Sequence, residues 1–298
     1  ITHLPIKDRA TPTQMETLAS YDGIVPGSVL VDPCAGPQHE FGIPGRKPDR
    51  IYEPTAVQVP FIQNKKGGFY NPETRAYVER ELVNDVVQDP SLLNPYSIRA
   101  NQGDCIVTYL TNGLQPDDNT TTLGINDGIF NGPTNTPEAS LHIHMVRYDI
   151  LGTDGTAVGW NYDQSARSQE TIAYRWFADV NSRTSFFHDH QFANSHQRNG
   201  LYGVLNIEPF DAKYRDPETG NPLGPLISGT TYGQSSGKYA QAEMKGVGPA
   251  ADIVASVCAD PVTCSVSGGK GGSFREFVIQ YGDFIPSFRT DREKLAQA

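Results

Sequence analysis

The sequence contains no run approaching the ~18–20 apolar residues that a membrane helix needs, so no segment is a candidate span. It also lacks a basic excess: 24 Lys and Arg stand against 34 Asp and Glu, a formal charge of −10. That balance disfavours a DNA or RNA backbone as partner. Phosphate-binding loops are missing, with neither GxxxxGK[ST] nor a strand-linked GxGxxG. There is no internal repeat and no heptad pattern. Cysteine is scarce, and none of Cys34, Cys105, Cys258 and Cys264 has a histidine neighbour.

Glycine and proline are plentiful, at 29 and 22 residues. This composition favours short strands and many turns over a helical bundle. Aromatic residues make up 10% of the chain, enough to build a core and to exclude wholesale disorder. Cys258 and Cys264 bracket five residues, and a loop that small closes readily into a disulfide in an oxidising compartment. Two free thiols are the alternative, and Cys34 with Cys105 is the weaker pair. The chain starts at Ile1 rather than Met, which suggests processing. Asn119-Thr120-Thr121 is a glycosylation sequon.

Turn residues punctuate positions 1–70. Val78, Leu82, Val83, Val86 and Val87 recur within residues 72–93 at spacings that predict a helix, near 72–88. Asp89-Pro90 would end it. From Tyr96 onward the pattern turns to period two. Ile172, Tyr174 and Trp176 alternate with Thr171, Ala173 and Arg175, and Leu201 to Ile207 reads as a further strand. Short strands between turns indicate a sandwich or barrel. The stretch 211–250 reads as loop. Ser267 to Ser273 is nearly all Gly, Ser and Lys, and a final strand opens at Phe274. That strand either packs on the first domain or begins another.

Four of the seven histidines form two His-x-His pairs, His142-Ile143-His144 and His188-Asp189-His190. On a strand, residues i and i+2 project from one face, so each pair offers two imidazoles on the same side. Such pairs are expected to bind metal, and imidazole suits copper, zinc, iron and nickel. Asp189 would point to the opposite face, which makes it a poor general base. His3 and His39 lie among loop signals and read as surface residues. His196 reads as a supporting or exposed residue, with an extra ligand as the alternative.

The Gly103-Asp104 turn, HIH, FFHDH and Gly200-Leu201-Tyr202-Gly203-Val204-Leu205, in that order, resemble the first cupredoxin domain of multicopper oxidases. The segments LHIHMVRYDILGTDG, GWNYDQS, RWFAD, FFHDHQFANSHQRNGLYGVLNIEP, RDPETG and FREFVIQYGDF are most similar to the large multidomain bacterial members, manganese oxidases among them. The resemblance covers roughly residues 65–290. It implies an all-β, cupredoxin-like Greek-key sandwich at 95–213. An N-terminal extension with one helix (1–94) would wrap it, and 214–298 would be a linker and the opening strand of an incomplete second cupredoxin domain.

The resemblance also implies a role: the dioxygen-reducing portion of an extracytoplasmic, laccase-like oxidoreductase. Its trinuclear cluster of type 2 and type 3 copper needs eight histidines. His142 would serve the type 2 copper, His144 and His188 one type 3 copper, and His190 the other. Asp154, or alternatively Asp163, would assist proton delivery. The family's type 1 copper uses a cysteine flanked by histidines, which this chain lacks. The type 1 copper, the electron donor's site and four more histidines are therefore expected on a partner chain, in an obligate heteromer. The competing expectations are a non-catalytic copper-binding or structural cupredoxin module and a zinc hydrolase.

Overall fold

A computed structural model describes residues 33, 49–115, 136–158, 162–180, 182–209, 212–215, 218, 222–223, 252–257, 272–282 and 287–289. His3, His39, the Asn119 sequon, the Cys258–Cys264 loop and most of the Gly- and Ser-rich stretch lie outside them. Among the described residues no helix is long and apolar enough to cross a membrane.

The fold is all-β, as the sequence predicts. One sheet contains β1 (Asp49–Tyr52), β2 (Pro54–Asn64), β3 (Phe69–Glu79), β5 (Cys105–Asn112), β7 (Arg147–Tyr148), β10 (Thr171–Phe177) and β17 (Phe288–Arg289). The second runs in the order β4 (Tyr96–Asn101), β12 (Tyr202–Glu208), β11 (Arg183–His188), β6 (His142–Ile143). The two sheets share one core. Tyr77, Ile106, Leu110, Tyr174 and Trp176 from the first meet Tyr96, Ile98, Ile143, Phe187 and Leu205 from the second. Alternation fills this core as expected: Ile172, Tyr174 and Trp176 face inward along β10. Cys105 is disulfide-bonded, on the outer side of β5 beside Val107.

The predicted helix at 72–88 is largely replaced by strand. Residues Phe69–Glu79 form β3, and only Val83–Gln88 are α-helical (α1), after a single 3-10 turn at Arg80–Leu82. The apolar spacing was real but belongs to two elements. Val78 on β3 and Val86 on α1 join the same small cluster with Val57, Val59 and Ala76. Thr74, Tyr77 and Val78 suit a pleated surface, and a long antiparallel ladder with β2 satisfies the backbone. Strands β1 to β3 are thus built into the main sheet rather than wrapped around it.

The C-terminal segments form a four-stranded sheet in the order β14 (Pro222–Leu223), β13 (Lys213–Arg215), β15 (Asp252–Val257), β16 (Gly272–Phe277). It is tied to the sandwich. Arg99 on β4 pairs with Glu276 on β16, Gln280 donates to the Tyr96 carbonyl at 3.3 Å, and β17 pairs with β3. The strand predicted to open at Phe274 is β16, and these contacts join its sheet to the sandwich.

The Glu208 and Glu276 carboxyls are hydrogen-bonded to each other between β12 and β16. Burial and the neighbouring Glu276 push Glu208 up to about 8, while Arg99 and Arg183 act in the opposite direction. Glu208 is therefore protonated more readily folded than unfolded. The stability this confers is fully present below about pH 4.5, and it is lost as pH rises towards 8. Thermal melts should show the wild type losing more stability than Glu208→Gln across this interval, and parallel curves would refute the shared proton.

Candidate metal centre

The register of β6 and β11 builds the site. His142 lies directly opposite His188, and Ile143 opposite Phe187. The same pairing continues beyond the strand, where the His144 amide donates to the Phe186 carbonyl at 3.2 Å and the His190 amide to Ser140 Oγ at 2.9 Å. Residues of one parity, Leu141, Ile143 and Phe187, are buried in the core. Residues of the other parity bring His142, His144, His188 and His190 together, with ring centroids 4.1 Å apart for His142–His190 and 5.1 Å for His144–His188. His144 stacks on Phe186 at 4.2 Å. Phe186 and Met145 remain 46% and 68% exposed, so the cluster lies beside an apolar patch of surface.

Two of the four rings, those of His142 and His190, have a defined tautomer. His142 Nδ1 is 2.8 Å from the Asp154 carbonyl, His188 Nδ1 is 2.7 Å from the Asp189 carbonyl, and His190 Nδ1 is 3.0 Å from Asp154 Oδ2. Carbonyl and carboxylate oxygens only accept, so Nδ1 of His142 and of His190 carries the proton and Nε2 keeps a lone pair, whereas His188 Nδ1 also faces the Gln197 amide nitrogen. His188 Nε2 and His144 Nε2 face each other at 2.9 Å. Two metal–imidazole bonds of ~2.0 Å meeting at a right angle would place the nitrogens about 2.8 Å apart. The donor pair therefore fits a shared cation. His142, His144 and His188 form one group whose ligating atoms lie within 4.8 Å of one another, and His142, Asp154 and His190 form another. In the second group the nitrogens nearest the carboxylate are the Nδ1 donors, so hydrogen bonds already account for that side.

Electrostatics favour unprotonated rings. Burial pushes His188 down to about 4, helped by His142, His144 and His190 and opposed by the Asp189 carbonyl. Burial, His142 and His190 lower His144 as well. For Asp154, burial alone would raise the carboxyl, but the hydrogen bonds and charges of His142 and His190 outweigh it and hold it below the usual range. Tyr148 is raised by burial and by its contact with Asp154.

Asp154 follows α2 (Ile150–Thr153) and is held in place by Gln164. Gln164 Oε1 accepts from the amides of Asp154 and Gly155 at 2.5 and 2.9 Å, and its Nε2 donates to the Ile150 carbonyl at 2.8 Å. Of the two candidate aspartates, Asp154 therefore meets the histidines. Asp163 lies on β9 (Tyr162–Asp163), opposite Ala157 of β8 (Ala157–Val158), and its side chain is outside the described residues.

His196, on α3 (Ala193–Arg198), is fully buried rather than exposed, with Nδ1 2.9 Å from Asp189 Oδ2. Asp189 points away from the metal face, as its place between two outward histidines requires. Gln164, Gln197, Ser140 and Arg75 all have contacts that bear on the site; the first two lie within segments that carry the family resemblance, and no motif marked Ser140 or Arg75. Gln197 Nε2 lies 2.8 Å from His188 Nδ1.

No family model matches the sequence, and no curated protein does either. Solved structures with a similar region include a multi-copper oxidase from Pseudomonas thermotolerans, with 19% identity, a TM-score of 0.37, and 55% of this chain and 30% of that one covered. Another is a copper nitrite reductase from Nitrosomonas europaea, with 18% identity, a TM-score of 0.34, and coverage of 55% and 42%. A further multicopper oxidase gives 16% identity, a TM-score of 0.37, and coverage of 63% and 53%. The chain thus spans between about a third and about half of the length of these structures. At such distance the function has to be read from the site's own residues.

Gly155 tests the geometry of the Asp154 loop. It has φ +84°, and a Cβ there would lie 2.5 Å from the Leu141 carbonyl, one residue before His142. Gly155→Ala should cost about 1–3 kcal/mol in an unfolding titration, together with weaker metal uptake by the histidines. Unchanged stability would show that the loop can move without strain.

Proposed function

We propose that this chain supplies four of the eight histidine ligands of a trinuclear copper cluster, as the dioxygen-reducing portion of a multicopper oxidase. The observation that carries the reading is the cross-strand pairing of His142 with His188, which turns two His-x-His pairs to one face with Nε2 lone pairs converging. Neutral imidazoles suit copper as they do zinc, iron and nickel, and the motif likeness to multicopper oxidases favours copper among them. When bound, copper would pass electrons to dioxygen, which needs four electrons and four protons to form two waters.

The chain's own residues would do the following. His142 would hold the type 2 copper, His144 and His188 one type 3 copper, and His190 the other. The Asp154 carbonyl and carboxylate keep the protons of His142 and His190 on Nδ1, away from the ligating nitrogens. Asp154 Oδ2, beside His190 Nδ1 and in contact with Tyr148, is placed to hold and pass protons at the cluster edge. Phe186 covers part of the His144 and His188 rings and excludes water from them.

Four imidazoles are too few for three metal ions, and the chain has no cysteine beside a histidine. The remaining ligands and the type 1 copper are therefore assigned to other polypeptide, and the exposed Met145 and Phe186 beside the cluster suit burial against it. The motif likeness extends to the large bacterial oxidases that include manganese oxidases. The disulfide at Cys105 suits an extracytoplasmic location.

The test is metal content and oxygen uptake of the protein together with polypeptide carrying the complementary histidines. About three coppers at the shared site and oxygen consumption are expected. His188→Ala should lower both copper retention and uptake by about two orders of magnitude or more. Copper without oxygen uptake would indicate a non-catalytic module, and zinc in its place would indicate hydrolytic chemistry.

A further inference from the structure

We infer that His196 is a positioning residue for the metal ligands, acting through Asp189 as an Nδ1–H imidazole. The inference rests on the metal-site reading above. Asp189 is fully buried, and an isolated carboxylate there would be costly. Its oxygens are instead saturated. Oδ1 accepts from Ser140 N at 2.8 Å and Ser140 Oγ at 3.1 Å, and Oδ2 from Gln191 N at 3.1 Å, Phe192 N at 2.9 Å and His196 Nδ1 at 2.9 Å.

Ser140 belongs to the segment leading into His142, and its Oγ receives the His190 amide at 2.9 Å. One carboxylate therefore ties together both histidine-bearing segments. The β6 strand is only two residues long, so its own ladder pins it weakly. This buried tie takes over that role.

The tautomer of His196 follows from its other nitrogen. Nε2 lies 3.0 Å from Arg75 Nη1 and 3.1 Å from the Thr136 amide. Both of those groups can only donate, so Nε2 accepts and Nδ1 must carry the proton given to Asp189. Arg75 is itself fully buried on β3 and donates to Gln58 Oε1 at 3.0 Å and to the Thr136 carbonyl at 2.6 Å. The first sheet thus holds, through one imidazole, the carboxylate that sets the spacing of ligands on the second. With both ring nitrogens engaged, His196 is not itself a ligand.

Two substitutions separate this role from simple packing. In His196→Asn the amide nitrogen replaces Nδ1–H and the donor to Asp189 is kept. In His196→Gln the amide falls near Nε2 and that donor is lost. In the intact protein with copper bound, His196→Gln should retain copper about 10–100-fold less tightly against a chelator and show an altered copper paramagnetic resonance spectrum. His196→Asn should keep the wild-type spectrum and affinity within about threefold. A His196→Gln protein indistinguishable from wild type would overturn the inference, as would His196→Asn failing as badly as His196→Gln. If either variant does not fold, the long-range proton–nitrogen spectrum of histidine-labelled wild type decides, because a proton on Nε2 of His196 contradicts the chain of donors. If the wild type takes up no copper, the metal reading fails, and the same spectrum judges the tautomer alone.

Discussion

Slip β6 by a single residue against β11 and His142 and His144 would turn into the apolar core while Ile143 turned out of it. The chemistry of this chain depends on that register. A two-residue strand cannot hold it through ladder hydrogen bonds alone. Two other constraints do so: the apolar parity of Leu141, Ile143 and Phe187, buried between the sheets, and the Asp189 carboxylate, bonded to Ser140 on one side and to the start of α3 on the other.

The polar groups behind the cluster divide the work. Asp154 sets the tautomers of His142 and His190, and Gln164 fixes the loop that carries Asp154. His196, held in turn by Arg75, donates to and orients the carboxylate buried between the two histidines. Each of these groups is satisfied in more than one direction, which is what makes a buried polar network rigid rather than merely costly. A pre-set ligand geometry follows, with nitrogens already converging at a distance that suits a shared cation. The opposite end of the sandwich is fastened differently, by the Arg99, Glu208 and Glu276 cluster that joins β4 and β12 to β16.

The site is half of something larger in the proposed reading. Its histidines converge next to exposed apolar side chains, and no thiolate stands near among the described residues. Four imidazoles, an aspartate that sets two of their tautomers, and a hydrophobic rim are the contribution its own residues can make.

The sequence by itself determined the all-β class, the inward face of β10 and the two His-x-His pairs, because each is a local pattern of period two. It narrowed the acidic partner to Asp154 or Asp163 without choosing between them. It misplaced the helix at 72–88, since an apolar spacing compatible with a helix was shared between β3 and α1, and pairing with β2 outweighed local preference. Only the tertiary structure decided that β1 to β3 belong to the main sheet, that Asp154 contacts His142 and His190, and that His196 and Arg75 stand behind Asp189. These are contacts between residues up to about 120 positions apart, such as Arg75 with His196. No local pattern encodes them, because their geometry exists only once the two sheets have closed on a common core.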